Sequence, residues 1–376
     1  MKKLISLLVV CLLLTGCVEK KYIEKLGVIT VIGYDVLEEG LVQGTMVFFQ
    51  FDPSAQNVSQ IITSIAKTSK GIRQDGNLKS SKELVSGQLR LVVFGKKAAE
   101  SGTARLLDTL NRDASISDLL YLTVAEENAK DILQSNKMED AADIGNYLKS
   151  LIEKNIRKEV LPSSTLHRFM HDYHDVGLDP ILPMVGLADG KPVIYHLALF
   201  QGDRFVKKVP VKQGFYLKLL ESRFRAGHLE TTLPEEPFKP YLQSDRNHKN
   251  VEGIQIAMDE ISSKTKIKLV DPKALKFKVD VNIKTRILEI SEDIQIQNPK
   301  VLKLMEEELS KNIENKMEEL VEVIKEAQVD PVGFGKKYNG ASRKKKLTKE
   351  EWREKIKDIE VEFNVNAKIL RHGIIQ

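Results

Sequence analysis

The sequence predicts an α+β fold: a multi-domain body of mixed β-sheets, each covered by helices, with a long amphipathic helix near the C-terminus. Three observations carry this. Short runs rich in Val, Ile and Leu alternate with helical stripes through the first half. In the second half, Phe277 to Ile290 alternates apolar and polar residues with period two, as a strand with one solvated face does. Leu302, Met305, Leu309, Ile313, Met317, Leu320 and Ile324 then recur every three or four residues, a stripe that would cover a sheet. A coiled-coil seam is the alternative for that run, which is short for an independent coil.

The chain opens with Met1-Lys2-Lys3, an apolar run from Leu4 to Leu14, and Thr15-Gly16-Cys17. Basic residues, a short apolar run and small residues are the parts of an export signal. The run is about 11 residues, against roughly 20 for a membrane-spanning helix, so it reads as cleaved rather than kept. Leu14-Thr15-Gly16-Cys17 resembles a bacterial lipobox. That resemblance implies that Cys17 becomes an N-palmitoyl, S-diacylglycerol cysteine and the new N-terminus. The alternative is an ordinary secretory signal cut nearby, for which no A-x-A-like site is present. Two or more acyl chains hold a protein firmly where one is marginal. The folded body is therefore expected outside the cytoplasm, tethered to a membrane face.

The mature chain of 360 residues fits two or three domains. Without Lys2 and Lys3 it carries 56 basic and 53 acidic residues, a net of +3, too small to point to nucleic acid. Cys11 falls in the signal and Cys17 at the anchor, which leaves no disulfide and no cysteine metal site. The expected division is 1–16 signal peptide, 17–188 N-terminal α/β-type domain and 189–376 C-terminal α+β domain. A further division of the last near 248, into 189–247 and 248–376, is an option.

In order, Leu26 to Asp35 reads as a buried strand, Glu38-Glu39-Gly40 as a turn and Leu41 to Phe51 as the returning strand. Ile61, Ile62 and Ile65 mark an element of undecided type, broken by Gly71 and Gly76. Leu89 to Gly95 is a short strand, followed by one helix from Lys97 to Asn111, a strand from Leu119 to Ala125 and a helix start at Ala129 to Leu133. Asp143 to Ile156 carries a clear helical stripe, and a further helix runs from Ser163-Ser164 to Tyr173. Gly177, Pro180 and Pro183 make the next stretch extended and irregular. Val193 to Phe200 and Arg204 to Val211 form a hairpin about Gln201-Gly202-Asp203. Gly214 to Arg225 reads as an amphipathic helix, and the proline-rich stretch 232–250 as a loop or joint. Val251 to Met258, Thr265 to Val270 and Phe277 to Ile290 read as three strands. Asn298 is placed to cap the long helix, with Pro299 in its first turn. Asp330 to Gly340 is a glycine-bearing loop. Thr348 with Glu351 makes a capped short helix around Trp352, and Ile359 to Leu370 is a closing strand.

Three places could carry chemistry. His167, His171 and His174 fall at i, i+4 and i+7 on one helix face, a weak candidate metal site without the H-E-x-x-H pattern. The neighbouring Arg168, Asp172 and Asp175 favour a plain polar face. Asp330-Pro-Val-Gly-Phe-Gly335 follows a helix, not a strand, and lacks the G-K-[ST] of a phosphate loop, so its glycines suit a tight turn. Arg343, Lys344, Lys345 and Lys346 form a basic loop, read as solvated or as a contact to anionic lipid or an acidic partner. No nucleophile elbow and no strand-linked G-x-G-x-x-G is present, and the acidic pairs Glu38-Glu39 and Glu235-Glu236 fall in loops. No enzyme and no cofactor is expected.

Several stretches together resemble the Ger(x)C family, the C-subunit lipoproteins of spore germinant receptors. They are the Leu14-to-Cys17 lipobox, Gly27 to Asp35, Leu89 to Gly95, Ala98 to Gly102, Leu107 to Asp113, Leu197 to Phe200 before Arg204-Phe-Val, Asp330 to Gly335, and Trp352. Val18 departs from the Trp that members often carry after the lipid cysteine. The resemblance implies a non-catalytic lipoprotein on the outer face of the inner spore membrane. It implies as partners two integral-membrane germinant receptor subunits and membrane lipid, but no nucleic acid. A solute-binding lipoprotein of an uptake system is the competing class. A lipid-anchored hydrolase is a further one, with only the histidine face to support it.

Overall fold

β-Branched and apolar residues over 26–210 assemble a single nine-stranded sheet, seven strands from the first half and a hairpin from the second. The computed structural model describes residues 22–51, 59–135, 144–221, 223–242, 253–341 and 346–372. Strands β1 (Leu26–Val36), β2 (Val42–Gln50) and β3 (Ser59–Ala66) form an antiparallel meander. On the other side of β1, β5 (Leu91–Phe94), β6 (Tyr121–Ala125) and β7 (Ile181–Ala188) follow in parallel, and short β4 (Glu83–Val85) pairs with the start of β1. Strands β8 (Lys191–Gln201) and β9 (Arg204–Pro210) extend the sheet antiparallel.

All four residues of β5 are fully buried, as a central parallel strand covered on both faces requires. One face packs Val31, Leu91 and Val93 against α4 (Ala129–Leu133) and α5 (Ile144–Arg157). The other packs Ile32, Val92 and Val124 against α1 (Ser69–Lys79), α2 (Lys96–Ser101), α3 (Ala104–Asn111) and α6 (Leu166–His174).

The second sheet has four strands in the order β10 (Arg223–Leu233), β11 (Ile254–Asp271), β12 (Lys276–Ile290) and β13 (Glu360–His372). The last pair is parallel. The chain between β12 and β13 therefore crosses over the sheet, and the long helix α8 (Pro299–Ala327) makes that crossover. The Asn298 side chain accepts from Lys300 N at 3.0 Å and Gln328 ends the helix in the left-handed region. Met305, Leu309, Ile313, Met317, Leu320 and Ile324 are buried against Phe277, Val279, Phe363 and Val365, so the stripe covers a sheet and is not a coiled-coil seam. Helices α9 (Phe334–Ala341) and α10 (Lys349–Ile356) complete the crossover, α10 with the capping box of Thr348 and Glu351.

Several elements differ from the sequence reading. Gly71 and Gly76 do not break the chain but lie inside α1, where Gly76 makes room for Met46. The helix expected over 97–111 is two helices, parted at Gly102 with φ 109°. The stretch after Gly177 holds strand β7, whose hairpin to β8 turns at Asp189-Gly190. The amphipathic helix at 214–225 is the short α7 (Gln213–Leu220), buried from Gly214 to Leu220, and the chain then enters β10. Two expected strands, 251–258 and 265–270, are one bulged strand, β11. The glycine-bearing loop at 330–340 holds α9.

Candidate functional site

The long helix delivers Asp330 to the point where the two sheets' layers meet, fully buried. Its Oδ1 accepts from Gly333 N at 2.7 Å and Phe334 N at 3.1 Å. Its Oδ2 accepts from Gly335 N at 2.7 Å and from the Trp352 indole Nε1 at 2.9 Å. The carboxylate thus caps the orphan N–H groups at the start of α9 and holds α10 beside it. The partner in the first half is Asp179, just after α6. Its Oδ1 accepts from Gly202 N and its Oδ2 from Asp330 N, both at 2.8 Å, while Asp179 N donates to the Asp330 carbonyl.

Backbone meets backbone here. A Cβ on Gly335 would stand 2.6 Å from Gly177 Cα and 2.6 Å from the Trp352 ring, so only glycine permits the approach. Burial raises the Asp330 carboxyl to about 7 against the pull of the backbone donors, with the Asp179 charge adding to the rise. Burial raises Asp179 as well. Four donors fill the Asp330 oxygens, and the adjoining cleft of about 60 Å3 has room for a few waters only. The arrangement is a clamp between the two halves, with no open position for a substrate.

A second place is an open hollow of about 820 Å3 where β1 ends. Asp35, Glu38, Glu39 and Asp131 line it with Lys97 and Lys130. Ligands of open α/β sheets bind beyond the strand C-termini, often with an anion at a helix N-terminus. Here the Asp35 carboxylate takes that position, accepting from Ala129 N at 2.7 Å and Lys130 N at 2.9 Å. Gly95 leaves the space for it, since a Cβ there would stand 2.0 Å from Asp35 Oδ1. Burial raises Asp35, and the two backbone donors pull it back.

The three histidines do not converge. His171 Nδ1 lies 2.9 Å from Asp172 Oδ1, His167 Nδ1 lies 3.6 Å from Asp118 Oδ2, and the His174 ring packs edge-on to Tyr173. Asp172 also takes the Arg168 guanidinium at 2.6 Å. Helical spacing put the rings on one side, but each found its own partner. Among the described residues no group of three His, Cys, Asp or Glu side chains is placed to hold a metal ion. Cys17, Arg343, Lys344 and Lys345 lie outside the described residues, whereas Lys346 is exposed at the foot of α10. No helix among the described residues is long and apolar enough to cross a membrane. The sequence singled out the 330–335 loop and Trp352 separately. The loop reading of 330–340 hid the helix start that Asp330 caps, and nothing local pointed to its bond with Trp352 or to Asp179.

Profiles of known families match both halves of the chain. The spore germination protein N-terminal domain matches residues 19–187, and the spore germination B3/GerAC like C-terminal domain matches residues 196–373. The chain belongs to the Ger(x)C family of spore germination proteins. Its Ger(x)C relatives include spore germination protein GerQC of Bacillus cereus, 26% identical over 377 residues and all of both chains. Spore germination protein KC of Bacillus subtilis (strain 168) is 24% identical, over 98% of this chain and 95% of that one. The crystal structure of the GerBC protein superposes with a TM-score of 0.50 at 18% identity, over 90% of this chain and 96% of that one. That likeness shows the Ger(x)C fold, the multi-domain α+β architecture that the sequence predicts.

Proposed function

We propose that this protein is the lipid-anchored C subunit of a spore germinant receptor, acting by assembly and not by catalysis. The full-length similarity to GerQC, matched by family profiles in both halves, carries the reading. In it, Cys17 holds the acyl chains and the body stands on the outer face of the inner spore membrane. Two integral-membrane receptor subunits pack against that body. The Asp330–Asp179 clamp supports this role, because a subunit that transmits a signal by contact needs its two halves in fixed orientation. The filled oxygens of Asp330 and the self-capped donors beside Asp35 suit a protein without bound substrate. The basic loop Arg343 to Lys346 is assigned to contact with a partner or with headgroups.

A pull-down of the acylated protein from detergent-solubilised spore membranes tests the reading. Two polytopic proteins at fixed ratio are expected. Recovery of an ATP-driven transporter, or of no partner but a tightly held small solute, would move the assignment to a solute-binding lipoprotein.

A further inference from the structure

One end of the first sheet is built differently from the other. Strands β1, β4, β5 and β6 run parallel, so their N-termini share one end, level with the last residues of β2. At that end three large apolar side chains are bare: Tyr22, Ile23 and Phe51 are 53%, 55% and 49% exposed. Ile23 and Phe51, with the cross-strand pair Val28 and Phe49, line an open hollow of about 440 Å3 whose rim carries Arg90 and Lys149. Leu119, 67% exposed, lies at the same end, two residues before β6.

Charges of both signs stand there, with basic side chains next to the exposed apolar ones. Lys25 Nζ stands 5.4 Å from the Tyr22 ring centroid, and Lys82 Nζ donates to the Glu24 carbonyl at 2.8 Å. The acids at this end are Glu24, Glu83, Asp118 beside Leu119, and Glu153, with Asp118 3.6 Å from His167 Nδ1 and Glu153 paired with Lys149. The far end, roughly 33 Å away along β1 at about 3.3 Å per residue, is the acidic hollow of Asp35, Glu38, Glu39 and Asp131. Single exposed apolar residues need no explanation, but a cluster beside a short tether does. Tyr22 stands five positions after Cys17, a reach of at most about 18 Å in any conformation.

We propose that this end of the first sheet is a bilayer-docking face. Tyr22, Ile23 and Phe51 enter the headgroup region, and Lys25, Lys82, Arg90 and Lys149 lie over anionic headgroups. Amphipathic aromatic side chains favour that depth and basic side chains favour anionic lipid. The tether supplies a high local concentration, so a face too weak to bind alone suffices. The acidic end is held away from the membrane, towards solvent or partners. The proposal rests on acylation at Cys17.

No cysteine follows Cys17, so one introduced thiol takes one fluorophore. The acylated full chain is labelled at Phe51→Cys or, as the far-end comparison, at Leu37→Cys, a site 38% exposed at the acidic end. Each is placed on vesicles of phosphatidylcholine and phosphatidylglycerol carrying a headgroup spin-label quencher. Emission from position 51 should be quenched several-fold more than from position 37, and the contrast should shrink when phosphatidylglycerol is omitted. Vesicle-bound protein with positions 51 and 37 quenched alike, or neither quenched, overturns the docking face and leaves the anchor standing. Shielding of position 51 only when membrane-embedded receptor subunits are added also overturns it, in favour of a protein partner. Failure to sediment with vesicles at all overturns the anchored reading and the face with it.

Discussion

Replacing Asp330 with Ala should open the joint between the two halves. The change removes the acceptor of four N–H donors at once, those of Gly333, Phe334, Gly335 and the Trp352 indole, in a site closed to water. A buried donor left unpaired costs about 1–3 kcal/mol, so four amount to roughly 4–12 kcal/mol before relaxation. Losing the carboxylate also removes its own desolvation, an offset of several kcal/mol. The expected net loss is a few kcal/mol, a large share of the roughly 5–15 kcal/mol that holds a domain folded. Urea unfolding followed by tryptophan emission suits the test, because Trp352 is the only tryptophan and reports from the joint itself. Asp330→Asn should lose nearly as much, since its amide must turn N–H groups towards donors. Trp352→Phe, followed by circular dichroism, frees one donor–acceptor pair and should cost about 1–2 kcal/mol. A loss below about 1 kcal/mol for Asp330→Ala, with Trp352 emission unchanged, would refute the clamp.

The raised Asp330 carboxyl also sets a pH dependence. Between the ordinary value of 3.8 and about 7 the folded state holds a proton that the unfolded state has released, so stability is full below that window and falls as pH rises through it. Asp179 and Asp35, raised by burial, act with the same sign. Thermal melts should therefore show Tm falling from pH 5 to pH 8, with a shallower slope in Asp330→Asn; a flat wild-type profile contradicts this. Gly335→Ala should cost about 1–3 kcal/mol or more by driving its methyl into Gly177 and Trp352, whereas Gly340→Ala, with open space around it, should stay within about 0.5 kcal/mol. Leu309→Ala on the sheet-facing stripe of α8 should cost about 2–5 kcal/mol in urea melts. Cys17→Ala should yield unprocessed or released protein on membrane fractionation, and wild-type retention with normal germination would be fatal to the anchor.

Patterns of short range were legible in the chain. The run of Leu26 to Asp35, the short apolar LRLVVFG, the Asn298 cap and the Thr348–Glu351 box each depend on residues within a few positions, and each formed as read. The sheet-facing stripe of α8 was equally plain, because helical period alone assigns its inner face. What failed locally failed for one reason. Gly71 and Gly76 are poor helix residues, yet Gly76 sits in a helix because Met46 from β2 needs the space, a contact no window of sequence contains. Strand β10 opens with Arg223 and Arg225, and only pairing with β11 makes it a strand.

The sequence by itself thus determined the element types over most of the chain, the absence of cysteine after Cys17 and the family resemblance. Tertiary structure decided which residues meet. It dispersed the three histidines to separate partners, although their spacing placed them on one helix face. It joined Asp179 to Asp330 across 151 positions, and Trp352 to Asp330, because burial leaves a carboxylate no stable place except among donors brought from distant segments. It also gathered Tyr22, Ile23 and Phe51 at one end of a sheet whose strand order follows from the packing of nine strands and not from any one of them.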